Sequence, residues 1–191
     1  MSKRIEIYNM DHLRELAKEH TLTAIGEVWI DHKRNGEYLC KDQYMGHNLI
    51  PTEGLNALLD IGVGATAKET AWYCGIFKGS AYTPGATNTA ATTLGVGGLA
   101  TECQDADYTP ATNRPAYTIV AASGGVITNT ASKAEFTIAA SINVYGAFIA
   151  SSQAKTATTG KLLAVKKFDA YRAVIATDVL SVVYQISMVS A

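Results

Sequence analysis

Acid–base catalysis would have to use the histidines, and all four of them, His12, His20, His32 and His47, lie in the first quarter of the chain. A serine hydrolase needs a histidine beside both an activated serine and a carboxylate. No serine of this chain lies in the Gly-x-Ser-x-Gly turn that exposes such a nucleophile. We therefore predict no catalytic residue and no enzymatic activity.

Carboxylates occur in two arrangements that could do chemistry. Glu102, Asp105 and Asp107 resemble part of a calcium-binding loop, but the glycine and the terminal glutamate of such a loop are missing. Glu53 and Asp60 are seven residues apart, as an acid–base pair could be. We interpret Glu53 as a side chain that favours the positive end of a helix, and Asp60 as exposed. We therefore predict neither a metal site nor an acid–base pair from these carboxylates.

The three cysteines, Cys40, Cys74 and Cys103, are odd in number and more than 25 residues apart, which does not indicate a disulfide framework. Zinc needs ligands at short spacing, and no histidine lies within three residues of a cysteine. We expect small buried or half-buried side chains. The glycines at 95–98 lack the strand, lysine and helix start of a phosphate-binding loop, so no cofactor is predicted.

Composition limits the class of partner. Charged residues make up 17% of the 191 residues, the net charge is −1 and the pI is near 6.4. Such a chain has no positive field to attract nucleic acid or an anionic membrane, so we expect neither as a partner. Residues 1–22 lack the apolar core of a signal peptide, and we predict an amino-terminal arm or a short helix there. The protein is expected to be made in a cytoplasm.

The carboxy-terminal run at 178–190 is the element around which we expect the rest of the chain to be organised. Large side chains alternate along it with mostly small or polar ones, which predicts a long β-strand with one buried side. The side chains of the predicted buried face are Leu180, Val182, Tyr184, Ile186 and Met188. A strand of this length needs partner strands on its edges, so the upstream sequence must supply a sheet.

The first half of the chain predicts a hairpin, a helix and a long loop. Asn35-Gly36 indicates a tight β-turn within residues 23–45, with His32, Lys33 and Arg34 solvated at its tip. Thr52 and the leucines that follow it predict a helix of about two turns that ends near Gly62 or Gly64. Residues 71–77 read as a buried strand. Residues 78–113 predict either an extended loop that contacts a neighbour or a loop with one weak strand near 99–103, and we favour the contact role.

The second half predicts a series of short strands separated by small-residue turns. The predicted strands are residues 116–122, 126–130, 133–140, 144–150, 162–168 and 178–190, with residues 171–175 as a further candidate. This spacing is typical of a β-sandwich or barrel. The sequence therefore predicts a mainly β domain at 23–191 with one short α-helix.

Several segments resemble a family of small tailed-bacteriophage virion proteins. The segments are GEVWID (26–31), HNLIPTEGLNALLD (47–60), AWYCGIFKG (71–79), NRPAY (113–117), SKAEFTIAASINVYGAFI (132–149) and KLLAVKKFDAYRAV (161–174). Some members are similar to cement, or head decoration, proteins with a jelly-roll sandwich. The resemblance implies a homo-oligomer, a dimer or trimer, that binds the major capsid protein on the outer capsid surface of the virion. It implies no catalytic residue.

Two further functions stay open at this point. The same sandwich could belong to a tail, baseplate or head-fibre component. It could also be a carbohydrate-binding module, because lectins use similar folds and exposed aromatic rings can stack on sugars. The tyrosines that could act as such platforms are Tyr38, Tyr44, Tyr82, Tyr108 and Tyr117.

Overall fold

The computed structural model describes residues 23–62, 64 and 68–189, and the predicted arm at 1–22 lies outside the described residues. The described chain is mainly β, with antiparallel strands in two sheets. One sheet contains β1 (Thr23–Arg34), β2 (Glu37–His47), β4 (Tyr108–Thr109), β5 (Val126–Thr128), β6 (Ala134–Ile138) and β9 (Val179–Val189). The other contains β3 (Tyr73–Phe77), β7 (Ile142–Ala150) and β8 (Leu162–Val174).

Strand β9 is the centre of the six-stranded sheet, as the carboxy-terminal run predicted. Strand β1 pairs along its whole length on one edge. On the other edge, β6 pairs with residues 179–182 and β5 with residues 185–187. The sheet order is β2-β1-β9-β6-β4, with β5 beside β9. Strand β9, the last strand of the described residues, therefore connects β1 on one edge with β5 and β6 on the other.

The two sheets are consistent with a β-sandwich, because side chains of both meet in one core. Val28 and Phe136 of the six-stranded sheet share a buried cluster with Ile76 and Ile149 of the three-stranded sheet. The predicted dry face of β9 is buried as far as Ile186, whereas Met188 is 39% exposed. The prediction of a single buried side was wrong, since the opposite side chains Ser181, Val183 and Ser187 are buried too. Strands on both edges of β9 shield these small side chains.

The hairpin formed by β1 and β2 turns at Asn35-Gly36, as predicted. Asn35 has a φ of +52° and Gly36 a φ of +84°, the two positive values of a type I′ turn. Beyond β2 the chain leaves the six-stranded sheet. The Leu49 amide donates to Val165 of β8 at 2.8 Å, and the Val165 amide donates to Leu49 at 2.9 Å. One continuous segment thus joins the edges of both sheets.

Helix α1 (Thr52–Gly62) confirms the predicted helix and packs on β8. The Glu53 carboxylate accepts hydrogen bonds from the amides of Ala90 and Leu162, each at 2.7 Å. Glu53 therefore ties the helix to two other segments, a role that its position at a helix start did not reveal. Asp60 is half-buried rather than exposed as predicted.

Gly54 provides the closest approach between α1 and β8. A Cβ atom there would lie 2.2 Å from the carbonyl oxygen of Leu163, which is backbone and cannot move aside. We expect Gly54→Ala to lower the free energy of unfolding by about 1–3 kcal/mol, measured by urea denaturation. Gly97→Ala is the control, because no atom lies within 4 Å of its added Cβ. Equal stability of both variants would contradict this packing.

The predicted strand at 116–122 was wrong. Cys74 donates to Pro115 and Tyr117 to Trp72, each at 2.8 Å. Residues after Tyr117 run past the start of β3, where the described part of the chain has no strand that pairs with them, and residues 118–125 are exposed. Two other predicted strands, 162–168 and 171–175, are the single strand β8. Its pairing with β7 is irregular, since Val144 pairs with Arg172 but Gly146 with Lys167.

The long loop at residues 78–113 is folded onto the three-stranded sheet. It contains a short helix, α2 (Ala90–Thr93), and the two-residue strand β4. The weak strand predicted at 99–103 amounts to one bridge between Phe77 and Glu102. Tyr82, Leu94 and other loop side chains form a second core cluster with Phe77 and Phe148. These two phenylalanines lie on the outer face of the sheet, so the loop covers that face.

Candidate interaction surfaces

A fully buried ion pair fixes the long loop. The side chains of Glu102 and Arg114 have no exposed area. The Arg114 guanidinium donates through Nε to Oε1 of Glu102 at 2.7 Å and through Nη2 to Oε2 at 2.8 Å. This two-point geometry is the strongest that arginine makes with a carboxylate. Sequence patterns place charged residues on the surface, so this pair could not be anticipated.

The same pair holds three segments together. Arg114 also donates to the carbonyl oxygens of Ser152 at 2.6 Å and Ala157 at 3.1 Å. The amide of Gly95 donates to Glu102 at 2.8 Å. Because both charges are surrounded by partners, they stabilise the arrangement of residues 95–102, 114 and 151–157 despite their burial.

The other two acids of the predicted calcium-like set are also paired with cations. Asp107 accepts from Lys78 at 2.7 Å, and Asp105 lies 3.4 Å from the Lys155 ammonium. Lys155 is buried, donates to the Tyr108 carbonyl at 2.7 Å and lies 3.6 Å from the centre of the Tyr108 ring. Burial lowers the pKa of Lys155. Among the described residues no group of three or more histidine, cysteine, aspartate or glutamate side chains could hold a metal.

The hairpin cations are not all solvated, which corrects the sequence prediction. His32 is 4% exposed, and its Nε2 lies 2.8 Å from Oδ2 of the buried Asp178. Arg34 donates to both oxygens of Asp178 at 2.9 Å, and the Ile175 amide donates at 2.9 Å. The Arg34 guanidinium is the main reason why the pKa of Asp178 lies well below its ordinary value. This cluster holds the start of β9 against β1.

The cysteines and most of the candidate tyrosines belong to the core. Cys74 and Cys103 are buried free thiols, and burial raises the pKa of both. Cys40 is half-buried. Tyr82, Tyr108 and Tyr117 are buried, so these three tyrosines cannot act as platforms for a sugar.

Tyr38 and Tyr44 are 46% and 47% exposed. Tyr44 belongs to the outer face of the six-stranded sheet, which we define by the side chains that β1, β2, β5, β6 and β9 direct away from the core. Its ring centre lies 5.4 Å from that of Trp29. A cavity of about 180 Å³ next to Trp29 is lined by Trp29, Asp42, Thr130, Val183 and Gln185. Side chains alternate in the segment GEVWID, and this period of two puts Trp29 on the same face as Glu27 and Asp31.

A second cavity, of about 310 Å³, lies at the start of helix α1. It is lined by Thr52, Glu53, Asn56, Ala86, Thr87, Asn88, Thr89 and Lys161. Glu53 and Asn88 already hold the surrounding backbone and the Tyr82 hydroxyl through hydrogen bonds. The remaining lining consists mainly of neutral polar groups together with one lysine.

Apolar side chains also protrude from the long loop. Val96 is 69% exposed and Leu99 60% exposed; we call these two residues the loop ridge. The Leu99 amide donates to Thr92 at 3.0 Å, and the Ala100 amide donates to Thr93 at 3.1 Å. The ridge is therefore held in place by its own backbone as well as by the Glu102–Arg114 pair.

No helix in the described ranges is long and apolar enough to cross a membrane. In the comparisons with known proteins, no protein-family model, curated protein or solved structure matches this chain.

Proposed function

We propose that the protein is a non-enzymatic structural component of a bacteriophage virion that binds the major capsid protein as a decoration, or cement, protein. The resemblance of segments 47–60, 71–79 and 132–149 to small virion proteins supports this proposal. In the structure these segments build α1, β3, β6 and β7, and Gly54, Gly75 and Gly146 allow neighbouring atoms to approach more closely than a Cβ atom would permit. We propose further that the sandwich is jelly-roll-like.

The loop ridge is the observation that carries the proposal. Val96 and Leu99 are large apolar side chains in solvent, on a loop that a buried ion pair holds rigid. Exposed apolar groups favour contact with another protein. A loop that is already ordered loses little conformational entropy on binding, so a larger share of the contact energy becomes affinity.

The charge of the chain agrees with a contact of this kind. A net charge of −1 gives neither long-range attraction nor strong repulsion toward a protein lattice. Each contact can then be weak, because an oligomer that engages several capsid subunits gains affinity from its linked sites. We propose a dimer or trimer on the outer capsid surface for this reason. Static light scattering would give the number of chains.

Charged substitutions on the loop ridge test the proposal. We expect Val96→Asp combined with Leu99→Asp to weaken binding to purified phage heads that lack the protein by about tenfold or more, because two carboxylates without partners would have to be buried in the contact. Binding would be measured by co-sedimentation with heads. The double variant should keep its thermal transition, since exposed substitutions change stability by only about 0.5 kcal/mol.

Leu39→Asp is the matched control, because Leu39 is 55% exposed at the tip of the hairpin rather than on the ridge. It should bind heads as the unchanged protein does. Unaltered binding of the ridge variant would contradict the ridge as the contact. Binding of the unchanged protein to purified tails and not to heads would replace the decoration role by a tail or baseplate role.

A further inference from the structure

We propose that the outer face of the six-stranded sheet binds a saccharide, with Trp29 and Tyr44 as the stacking surface for one pyranose ring. This inference goes beyond the proposed capsid contact and depends on different residues. The two surfaces lie on opposite sides of the sandwich, because the long loop covers the outer face of the three-stranded sheet. Capsid binding through the loop ridge would leave the saccharide site accessible.

The register of three strands brings the site together. Trp29 of β1 pairs with Tyr44 of β2 on one side and with Val183 of β9 on the other. Glu27, two residues earlier, pairs with His47 and Gln185 in the same way. Because paired residues project from the same face, an aromatic row lies beside a polar row. The neighbouring Val28 and Ile30 point into the core, which fixes the direction of Trp29.

The aromatic row provides an apolar surface with a partly enclosed space next to it. Trp29 is half-buried, Tyr44 is 47% exposed, and their rings are inclined at 50°. Val183 is 5% exposed and, with Gln185, borders the cavity. Half-buried rings are already ordered, so contact with a sugar ring immobilises little. A site this shallow predicts a dissociation constant on the order of 1 mM.

The polar row can exchange its hydrogen bonds for those of sugar hydroxyls. Tyr44 Oη donates to Glu27 Oε1 at 3.3 Å, and Gln185 Nε2 donates to Glu27 Oε2 at 3.3 Å. Both distances exceed the usual 2.7–3.0 Å of a strong hydrogen bond. The carboxylate of Glu27 therefore remains a good acceptor for hydroxyl donors.

The charges of the outer face favour a neutral polyhydroxylated ligand over an anion. Lys133 bridges Asp31 at 2.7 Å and Asp42 at 2.8 Å, and Glu27 adds a further carboxylate. The lysines near the cavity, Lys133 and Lys41, each have a carboxylate close by, so they attract phosphates and acidic sugars only weakly. The core of a protein interface is depleted of charged residues, so this face is a poor match for a protein partner.

The test is saturation-transfer NMR on the full chain with methyl glucoside, methyl galactoside and N-acetylglucosamine at millimolar concentration, together with an array of neutral oligosaccharides. We expect at least one of these probes to bind. Trp29→Ala and Tyr44→Ala should each weaken that binding by about tenfold, a change equal to about 1.4 kcal/mol.

Tyr38→Ala is the matched control, because Tyr38 has nearly the same exposure as Tyr44 but pairs with Lys33 near the hairpin turn rather than with Trp29. It should bind as the unchanged protein does. Gln185→Ala provides a second readout if Trp29→Ala does not fold. No binding of any probe or array sugar, or equal loss in the Tyr38 variant, would overturn the saccharide site and leave the capsid proposal untouched.

Discussion

Substitution of Arg114 by methionine should lower the free energy of unfolding by about 3–5 kcal/mol, because it leaves the Glu102 carboxylate buried without its cation. Both side chains are fully buried, so water cannot replace the lost partner. The carbonyl oxygens of Ser152 and Ala157 also lose their donor. Urea denaturation followed by circular dichroism measures the loss. Faster proteolysis within residues 78–113 should accompany it, because the pair fixes that loop.

Two further variants distinguish the destabilisation caused by a buried charge without its partner from the destabilisation caused by lost packing. Glu102→Gln combined with Arg114→Met removes both charges and should recover part of the stability that Arg114→Met loses. Lys78→Met breaks a pair in which the lysine side chain is 36% exposed and the Asp107 side chain 6% exposed. Because the Gln104 amide still donates to Asp107 at 2.7 Å, the cost should be smaller than that of Arg114→Met, about 1–2 kcal/mol. Similar losses for Arg114→Met and Lys78→Met would show that the buried pair does not organise the loop.

Asp178→Asn should lower the free energy of unfolding by about 3 kcal/mol, since Asp178 is buried and the amide cannot replace its charge. Asparagine has an NH2 donor in place of one carboxylate oxygen, and this group would face the N–H donors of Arg34 and Ile175. The expected result is a lower urea midpoint at neutral pH with an unchanged denaturant slope.

The pH dependence gives this prediction a second readout. Arg34 holds the pKa of Asp178 well below its ordinary value in the folded protein. The stability that ionised Asp178 contributes is therefore present above its unfolded pKa of about 3.9 and is lost as the pH falls through its folded pKa. The stability of the unchanged protein should fall more steeply below about pH 4 than that of Asp178→Asn. Asp169→Asn is the control, because Asp169 is 92% exposed. An identical acid slope in the Asp178 variant would refute this assignment.

Elements with a strong local pattern were predicted from the sequence, and elements that depend on a distant partner were not. Strand β9, the turn at Asn35-Gly36 and helix α1 each follow from side-chain periodicity or from turn residues. Residues 118–122 have the composition of a strand, but no strand among the described residues pairs with them. Composition alone cannot report whether a partner exists.

The candidate sites depend even more on long-range placement. His32 and Asp178 are 146 residues apart in the sequence, and no local pattern joins them. Counting from the turn would place Trp29 opposite Asp42, because Arg34 pairs with Glu37. Irregularities in the hairpin shift the partner of Trp29 to Tyr44. The pairing of Trp29 with Tyr44 thus results from β-bulges, which cannot be predicted from the residue types.

The segment at Leu49, which leaves one sheet and joins the other, has a consequence for crowded copies of this protein. A strand edge with unpaired backbone groups can form hydrogen bonds with a strand of another chain, which leads to aggregation. Leu49 occupies part of the rim of β8, and the bulges and the left-handed Asp42, with a φ of +47°, distort the rim of β2. Copies of this protein held close together should therefore not aggregate through these two strand edges, because a covered or distorted edge is a poor template for amyloid-like growth.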